Sequence, residues 1–209
     1  LGLKRFFNAC SSSGKQISLI GSIILCASII IGVLSITGLG VKLTSLIISI
    51  SDNNIWPALI LTGIACLILG MEVPTTAAYV ICVSVAGPAL VDMGLELLQV
   101  HLFVFWFALL STITPPVCGT VFIAAGMVNE NWLKVSITSM SLGIGLYFIP
   151  LAMIANKSIL DLNTTFFLSL LAFFKIAIGL IMLSFSIIAN YSRFLKIGAF
   201  LIGNFVMFI

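Results

Sequence analysis

The 209-residue chain is 61% hydrophobic and 7% charged, whereas a soluble domain carries roughly a quarter charged residues. Nine basic and six acidic side chains cannot solvate a soluble globule of this length, and a scattered net charge of +3 offers no face to an anionic polymer. A soluble enzyme, a nucleic-acid binder and a disordered tail are excluded together, which leaves an all-α polytopic membrane protein in a lipid bilayer. Cys10, Cys26, Cys66, Cys82 and Cys118 sit mostly in apolar runs with neither C-x-x-C nor neighbouring histidines. They read as small packing residues rather than a disulfide or metal framework. The first residue is Leu1, and the last run, 197–209, is apolar apart from Asn204; the expectation is a piece of a longer protein.

Charges punctuate the chain, so the runs between them are the candidate spans. Residues 16–36 lie in a charge-free stretch that suffices for one helix ending near Gly38 and Gly40, and it is too long for a signal peptide. Residues 37–54 mix Leu43, Leu46, Ile47 and Ile50 with Lys42, Ser45, Ser49 and Asp52, the pattern of an amphipathic helix at the membrane interface. In 55–91 two apolar arms of 17 residues meet at Gly70-Met71-Glu72-Val73-Pro74. Each arm reaches roughly 25 Å against a hydrocarbon core of roughly 30 Å, so the expectation is a re-entrant hairpin with its tip at 70–76. Residues 97–129 have the opposite problem. They hold 33 residues without a formal charge, roughly 50 Å as one helix, too long for a straight span. Ser111-Thr112-Ile113-Thr114-Pro115-Pro116 lies near their middle, and a Pro-Pro pair removes two backbone donors; the helix should break at 111–116. Beyond it, 135–156 and 162–192 read as plain spans, the second interrupted by Lys175, and 197–209 as the start of a further one.

The distribution of basic residues tests this map. With a cytoplasmic amino terminus and 55–91 returning to its own side, Lys4, Arg5, Lys15, Lys134, Arg193 and Lys196 are cytoplasmic, and only Lys42 and Lys157 lie outside. A single crossing there would make the two sides equal. The rule supports even parity without separating a hairpin from two full spans; arm length makes that second decision.

Non-helical backbone inside a bilayer is tolerated only where protein or water satisfies it. Proline kinks and hydroxyls also serve packing alone, and one isolated break would be read that way. Two adjacent breaks, both rich in Thr and Pro, point instead to the binding site of a secondary transporter. Unwound carbonyls and half-helix carboxyl ends offer negative partial charge to a cation such as Na⁺, and half-helix amino ends offer N–H groups to a carboxylate. Thr75, Thr76, Ser111, Thr112 and Thr114 carry hydroxyls that can join either shell.

At these segments the chain resembles a known family. Leu69-Gly70-Met71-Glu72-Val73-Pro74-Thr75-Thr76-Ala77-Ala78-Tyr79 is similar to the L-G-M-G-x-P-T-T-A-A-Y signature of fused permeases of the tripartite ATP-independent periplasmic (TRAP) transporters. Gly87-Pro88-Ala89-Leu90-Val91, Gln99-Val100-His101-Leu102-Phe103-Val104-Phe105 and Leu110-Ser111-Thr112-Ile113-Thr114-Pro115-Pro116-Val117 resemble its A-P-A-L-V, A-A-H-L-F-V-F and L-S-x-I-T-P-P-V. Thr37-Gly38-Leu39-Gly40-Val41-Lys42 also fits, so the ordered match runs over about 35–160, and the chain beyond Asp161 carries little signature. The resemblance implies the carboxy-terminal part of the large permease unit, half of an inverted-repeat, elevator-type transporter in the cell inner membrane. It implies Na⁺ as coupling ion with no other cofactor, a small organic acid as substrate, and a periplasmic substrate-binding protein as partner. The amino-terminal repeat and the small-subunit helices should lie upstream. Carried over by position, Gly70, Met71, Pro74, Thr75 and Thr76 fall in the ion and substrate region, as do Thr112, Thr114, Pro115 and Pro116; Ser111 joins them by residue type. Na⁺ would be expected at Gly70, Thr76, Thr112 and Thr114. Two departures stand beside the site: Glu72 where the family has glycine, and Cys118-Gly119-Thr120 where it has A-L-A.

Two readings of Glu72 remain side by side. An ionisable group at membrane depth marks function by default, as a cation ligand or proton-linked group; or the tip reaches a water-filled vestibule where a carboxylate does nothing. His101 reads as a packed or interfacial residue, since no second ligand accompanies it. Lys175 should snorkel or face a helix neighbour, and Trp56, Trp132 and Tyr191 fit an aromatic belt. The chain is not expected to be an enzyme, because no catalytic pair stands among the spans. The alternatives to a binding-protein-dependent importer are a carboxylate carrier that needs no binding protein and a structural membrane subunit.

Overall fold

Glycine, asparagine and proline mark where the helices end. The computed structural model describes residues 2–71, 73–116, 118–161, 166–189 and 192–209 (positions 3, 16, 19, 20, 23, 24, 27, 31 and 35 by backbone alone). Helix α1 (Gly2–Thr37) closes on Gly38, whose φ of +66° needs no Cβ, and α2 (Leu39–Ser51) leaves at 64° to the end of α1. Asp52 and Asn53 take left-handed φ of 49° and 56°, a conformation their short polar side chains tolerate. Asn54 then caps α3 (Ile55–Leu69), its Oδ1 accepting from Trp56 N at 3.1 Å. After the Gly70–Pro74 turn come α4 (Thr75–Val85), α5 (Gly87–Asp92) and α6 (Leu97–Leu110). Across the Pro-Pro segment lie α7 (Gly119–Val128), α8 (Trp132–Leu142) and α9 (Ile144–Ala155). A 3₁₀ turn (Lys157–Leu160) leads to α10 (Phe166–Ile188) and α11 (Arg193–Phe208). The described residues contain no strand, and the fold they make is all-α, the class expected of the long apolar runs.

Helix α6 is the axis of the core. Its Val100, Phe103, Val104, Phe107 and Ala108 are buried against Ala58, Leu59 and Cys66 of α3, Ala78 and Cys82 of α4, and Ala89 and Leu90 of α5. Small residues let the backbones approach, which is how helices associate where lipid removes the hydrophobic drive between them. Gly63 shows the need: a Cβ there would stand 2.9 Å from the Phe107 ring. Helix α2 buries Thr44, Ile47 and Ser51 while Leu46 and Ile50 are exposed, an apolar exterior suited to lipid.

Among the described residues α10 is long and apolar enough to cross a membrane. Two bent pairs would each add a span if read as one: the end of α1 with α2, and α8 with α9, which meet at 42°. Helices α3, α4, α6 and α7 are apolar but only 10 to 15 residues long. Helices α10 and α11 form an antiparallel pair. Ser186 Oγ donates to Lys196 O at 2.7 Å, and Gly179 faces Gly203 so closely that a Cβ on Gly179 would lie 2.9 Å from the Gly203 carbonyl oxygen. Lys175 Nζ reaches Ile209 O at 3.2 Å, the helix-neighbour alternative of its two readings. The pair is tied to the rest by Asn156 Nδ2, which donates to Met207 O at 2.8 Å, and by an edge-on Trp56–Phe208 contact with ring centroids 5.6 Å apart.

Candidate functional site

The α3–α4 turn is held by main-chain bonds. Gly70 N donates to Cys66 O at 2.9 Å, Val73 N to Gly70 O at 3.4 Å and Ala78 N to Pro74 O at 2.9 Å. The chain reverses there, and Cys82 Sγ on α4 returns to within 3.5 Å of Cys66 O on α3. Pro74 precedes the first helical residue Thr75, so the first turn of α4, which includes Thr75 and Thr76, keeps N–H groups with no intrahelical acceptor. Gly70 is buried, Met71 and Thr75 half-buried, and Pro74 and Thr76 exposed. Glu72, the most conspicuous charge in the sequence, lies outside the described residues, as do Val117, residues 162–165, Asn190 and Tyr191.

The second break is held by side chains. At the end of α6, Ser111 Oγ lies 2.7 Å from Ala108 O, Thr112 Oγ1 donates to Leu109 O at 2.8 Å, and Thr114 Oγ1 donates to Leu110 O at 2.6 Å. Three successive carbonyls at the helix end therefore each meet a hydroxyl, which for Leu109 O and Leu110 O joins main-chain bonds from Thr112 N at 3.3 Å and Ile113 N at 3.2 Å. Thr120 Oγ1, on the first turn of α7, donates back to Thr112 O at 2.7 Å and so bridges the non-helical segment. Pro115 and Pro116 occupy its middle, half-buried and exposed respectively. Neither can offer an N–H.

The two breaks touch. Ser111, fully buried, places its Oγ 3.0 Å from Gly70 O, its one proton shared between that carbonyl and Ala108 O. The contact requires glycine, because a Cβ at position 70 would stand 2.5 Å from Ser111 Oγ and 3.1 Å from Cys66 O. Thr114 is met from α9 by Tyr147, with the two hydroxyl oxygens 2.7 Å apart. Of the expected site residues, Gly70 and Ser111 meet directly. Thr112 and Thr114 stand on the same break, and Thr75 and Thr76 on the opening turn of α4. Because the hydroxyl protons point at carbonyls, the hydroxyl oxygens keep lone pairs that these bonds do not use, chemistry that suits a cation. The opening turns of α4 and α7 supply the opposite polarity for an anion.

Sequence reasoning missed two side chains, Tyr147 and Trp106. Tyr147 is the only tyrosine between Val135 and Asn156, and a phenol in an apolar run needs a polar partner; that was the available signal. Trp106 Nε1 donates to Leu146 O at 2.8 Å, fastening α6 to α9 beside Tyr147. His101, expected as a packed or interfacial residue, is half-buried with Nδ1 2.7 Å from Tyr79 OH. That bond joins α6 to the second arm of the hairpin. No cluster of His, Cys, Asp and Glu able to hold a metal occurs among the described residues.

An all-helical chain with an apolar exterior, whose two interrupted helices meet at polar breaks, belongs to the class of helical membrane transporters. A family model described as the tripartite ATP-independent periplasmic transporter, DctM component, matches residues 1–167. The chain is a member of that TRAP-type permease family, which is a family of transporters and not of enzymes. The match ends near the start of α10, so nearly all of the α10–α11 pair lies beyond it. No curated protein and no solved structure matches the chain.

Proposed function

We propose that the chain works as part of the large permease unit of a Na⁺-coupled importer of small organic acids, fed by a periplasmic substrate-binding protein. In this reading it is a multi-pass component of the inner membrane and is completed by an amino-terminal inverted repeat and small-subunit helices. The observation that carries the proposal is the contact between Ser111 and Gly70, which makes one polar locus of two helix interruptions. Gly70, Thr76, Thr112 and Thr114 would supply oxygens to Na⁺. The N–H groups that open α4 and α7 would face the substrate carboxylate. The α3–α4 hairpin is read as re-entrant, since an arm of 11 residues such as α4 makes only roughly 16 Å of helix against a core of roughly 30 Å. Residues 16–36, 135–156, 162–192 and 197–209 remain the proposed spans, with 37–54 at the interface.

The test is uptake by the complete permease in proteoliposomes, with a panel of labelled small organic acids and the binding protein encoded beside it. Accumulation should need both an inward Na⁺ gradient and the binding protein. Uptake that ignores Na⁺ overturns the coupling, and uptake without the binding protein overturns the partnership. Thr76→Ala and Thr114→Ala should each cut uptake strongly while the amount of permease in the membrane stays unchanged.

A further inference from the structure

We infer that Tyr147 is a positioning residue for the cation site at the Pro-Pro break, acting through Thr114; the inference rests on the Na⁺ reading above. Proton counting carries it. Thr114 Oγ1 has one proton and stands 2.6 Å from Leu110 O, which has none to give, so the threonine proton goes to that carbonyl. The 2.7 Å contact with Tyr147 then has a single sense: the phenol donates to Thr114 Oγ1. One of the two threonine lone pairs is occupied, and the direction of the other is fixed. Thr114 is 9% exposed, so bulk water does little to reorient it.

The phenol is itself held in place. Leu146, its neighbour on α9, accepts the Trp106 indole N–H at 2.8 Å, which fastens α9 to the same helix that ends at Thr114. Two residues before the phenol, Gly145 lies so close to α10 that a Cβ there would stand 3.0 Å from Leu180. Tyr147 thus reaches the break from a helix gripped on two sides. A threonine oxygen aimed before the ion arrives has less freedom to lose on binding, which raises affinity without adding a ligand. The sequence pattern alone suggests no such role, because Tyr147 sits in a run that reads as a plain span.

The experiment titrates the full-length permease, purified in detergent, with NaCl against choline chloride at constant ionic strength, and reads the Na⁺-dependent rise in Tm. Tyr147→Phe removes one oxygen and keeps the ring; it should raise the Na⁺ midpoint about five- to tenfold, the scale of one oriented hydrogen bond, with the Na⁺-free Tm nearly unchanged. Tyr79→Phe makes the same deletion away from the break and should leave the midpoint at the wild-type value. A midpoint unmoved in Tyr147→Phe but raised in Thr114→Ala overturns the role of Tyr147 and leaves the cation site standing. A wild-type protein with no Na⁺ response overturns both. A fall in Na⁺-free Tm with no change in midpoint assigns Tyr147 to packing alone and also overturns the inference.

Discussion

Between Leu69 and Thr75 the described chain turns on main-chain hydrogen bonds, whereas between Leu110 and Gly119 the main-chain bonds of Ser111, Thr112 and Ile113 are joined by the hydroxyls of Ser111, Thr112, Thr114 and Thr120. The difference reflects what each segment must satisfy. The first has a glycine to fold tightly and a single proline at the entry to the next helix, a position where a missing N–H costs nothing. The second has two successive prolines that offer no N–H, so hydroxyls supplement the main-chain bonds that Thr112 N and Ile113 N make to Leu109 O and Leu110 O. One break is therefore fixed by shape and the other by chemistry. They should fail differently under mutation.

Gly70→Ala should have the largest effect of all. The new methyl would collide with Ser111 Oγ and the Cys66 carbonyl, and overpacking of this kind costs about 1–3 kcal/mol. Both thermal stability and uptake should collapse, and adding Ser111→Gly, which clears the Ser111 side chain, should recover part of the loss in a double-mutant cycle. Ser111→Ala should come next. It leaves two buried carbonyls without their hydroxyl and costs about 1–3 kcal/mol, measured as a lower Tm, with a weaker Na⁺ response than the fall in stability alone accounts for. Thr120→Val should cost less, about 0.5–1.5 kcal/mol, because Thr120 is exposed and water can replace its bond to Thr112 O; uptake should drop only a fewfold. Gly179→Ala sharpens the comparison from outside. It should lower Tm by loosening α10 against α11, since its Cβ would sit 2.9 Å from Gly203 O, yet leave the Na⁺ midpoint where it was. A shifted midpoint there would mean that the two breaks are not the only places the ion is felt.

How much of this is legible in the sequence depends on distance along the chain. Composition is enough for the all-α membrane class. The Thr/Pro-rich motifs are enough to single out Gly70 and Ser111 as candidates. Nothing local says that these two touch across 41 positions, because their meeting depends on how α3 packs on α6, with Gly63 admitting the Phe107 ring. By residue type alone Thr112 and Thr114 could join either an anion or a cation shell; their protons turn out to be given to Leu109 O and Leu110 O, a preference visible only once the helix end is placed. Tyr147 is hidden for the opposite reason. It lies in a stretch that reads as featureless, and an apolar run conceals a single phenol. His101 and Tyr79 both stand in family-like motifs, but a hydrogen bond between helices leaves no mark in either segment alone.

The edge-on contact of Trp56 with Phe208 has a consequence for how the protein is made. Synthesis proceeds from the amino end, and domains generally fold as units on emergence. Trp56, at the head of α3, is synthesised well before its partner ring, and the Asn156 amide likewise precedes the Met207 carbonyl to which it donates. The seam between the family-matched part and its last two helices therefore closes late in biogenesis.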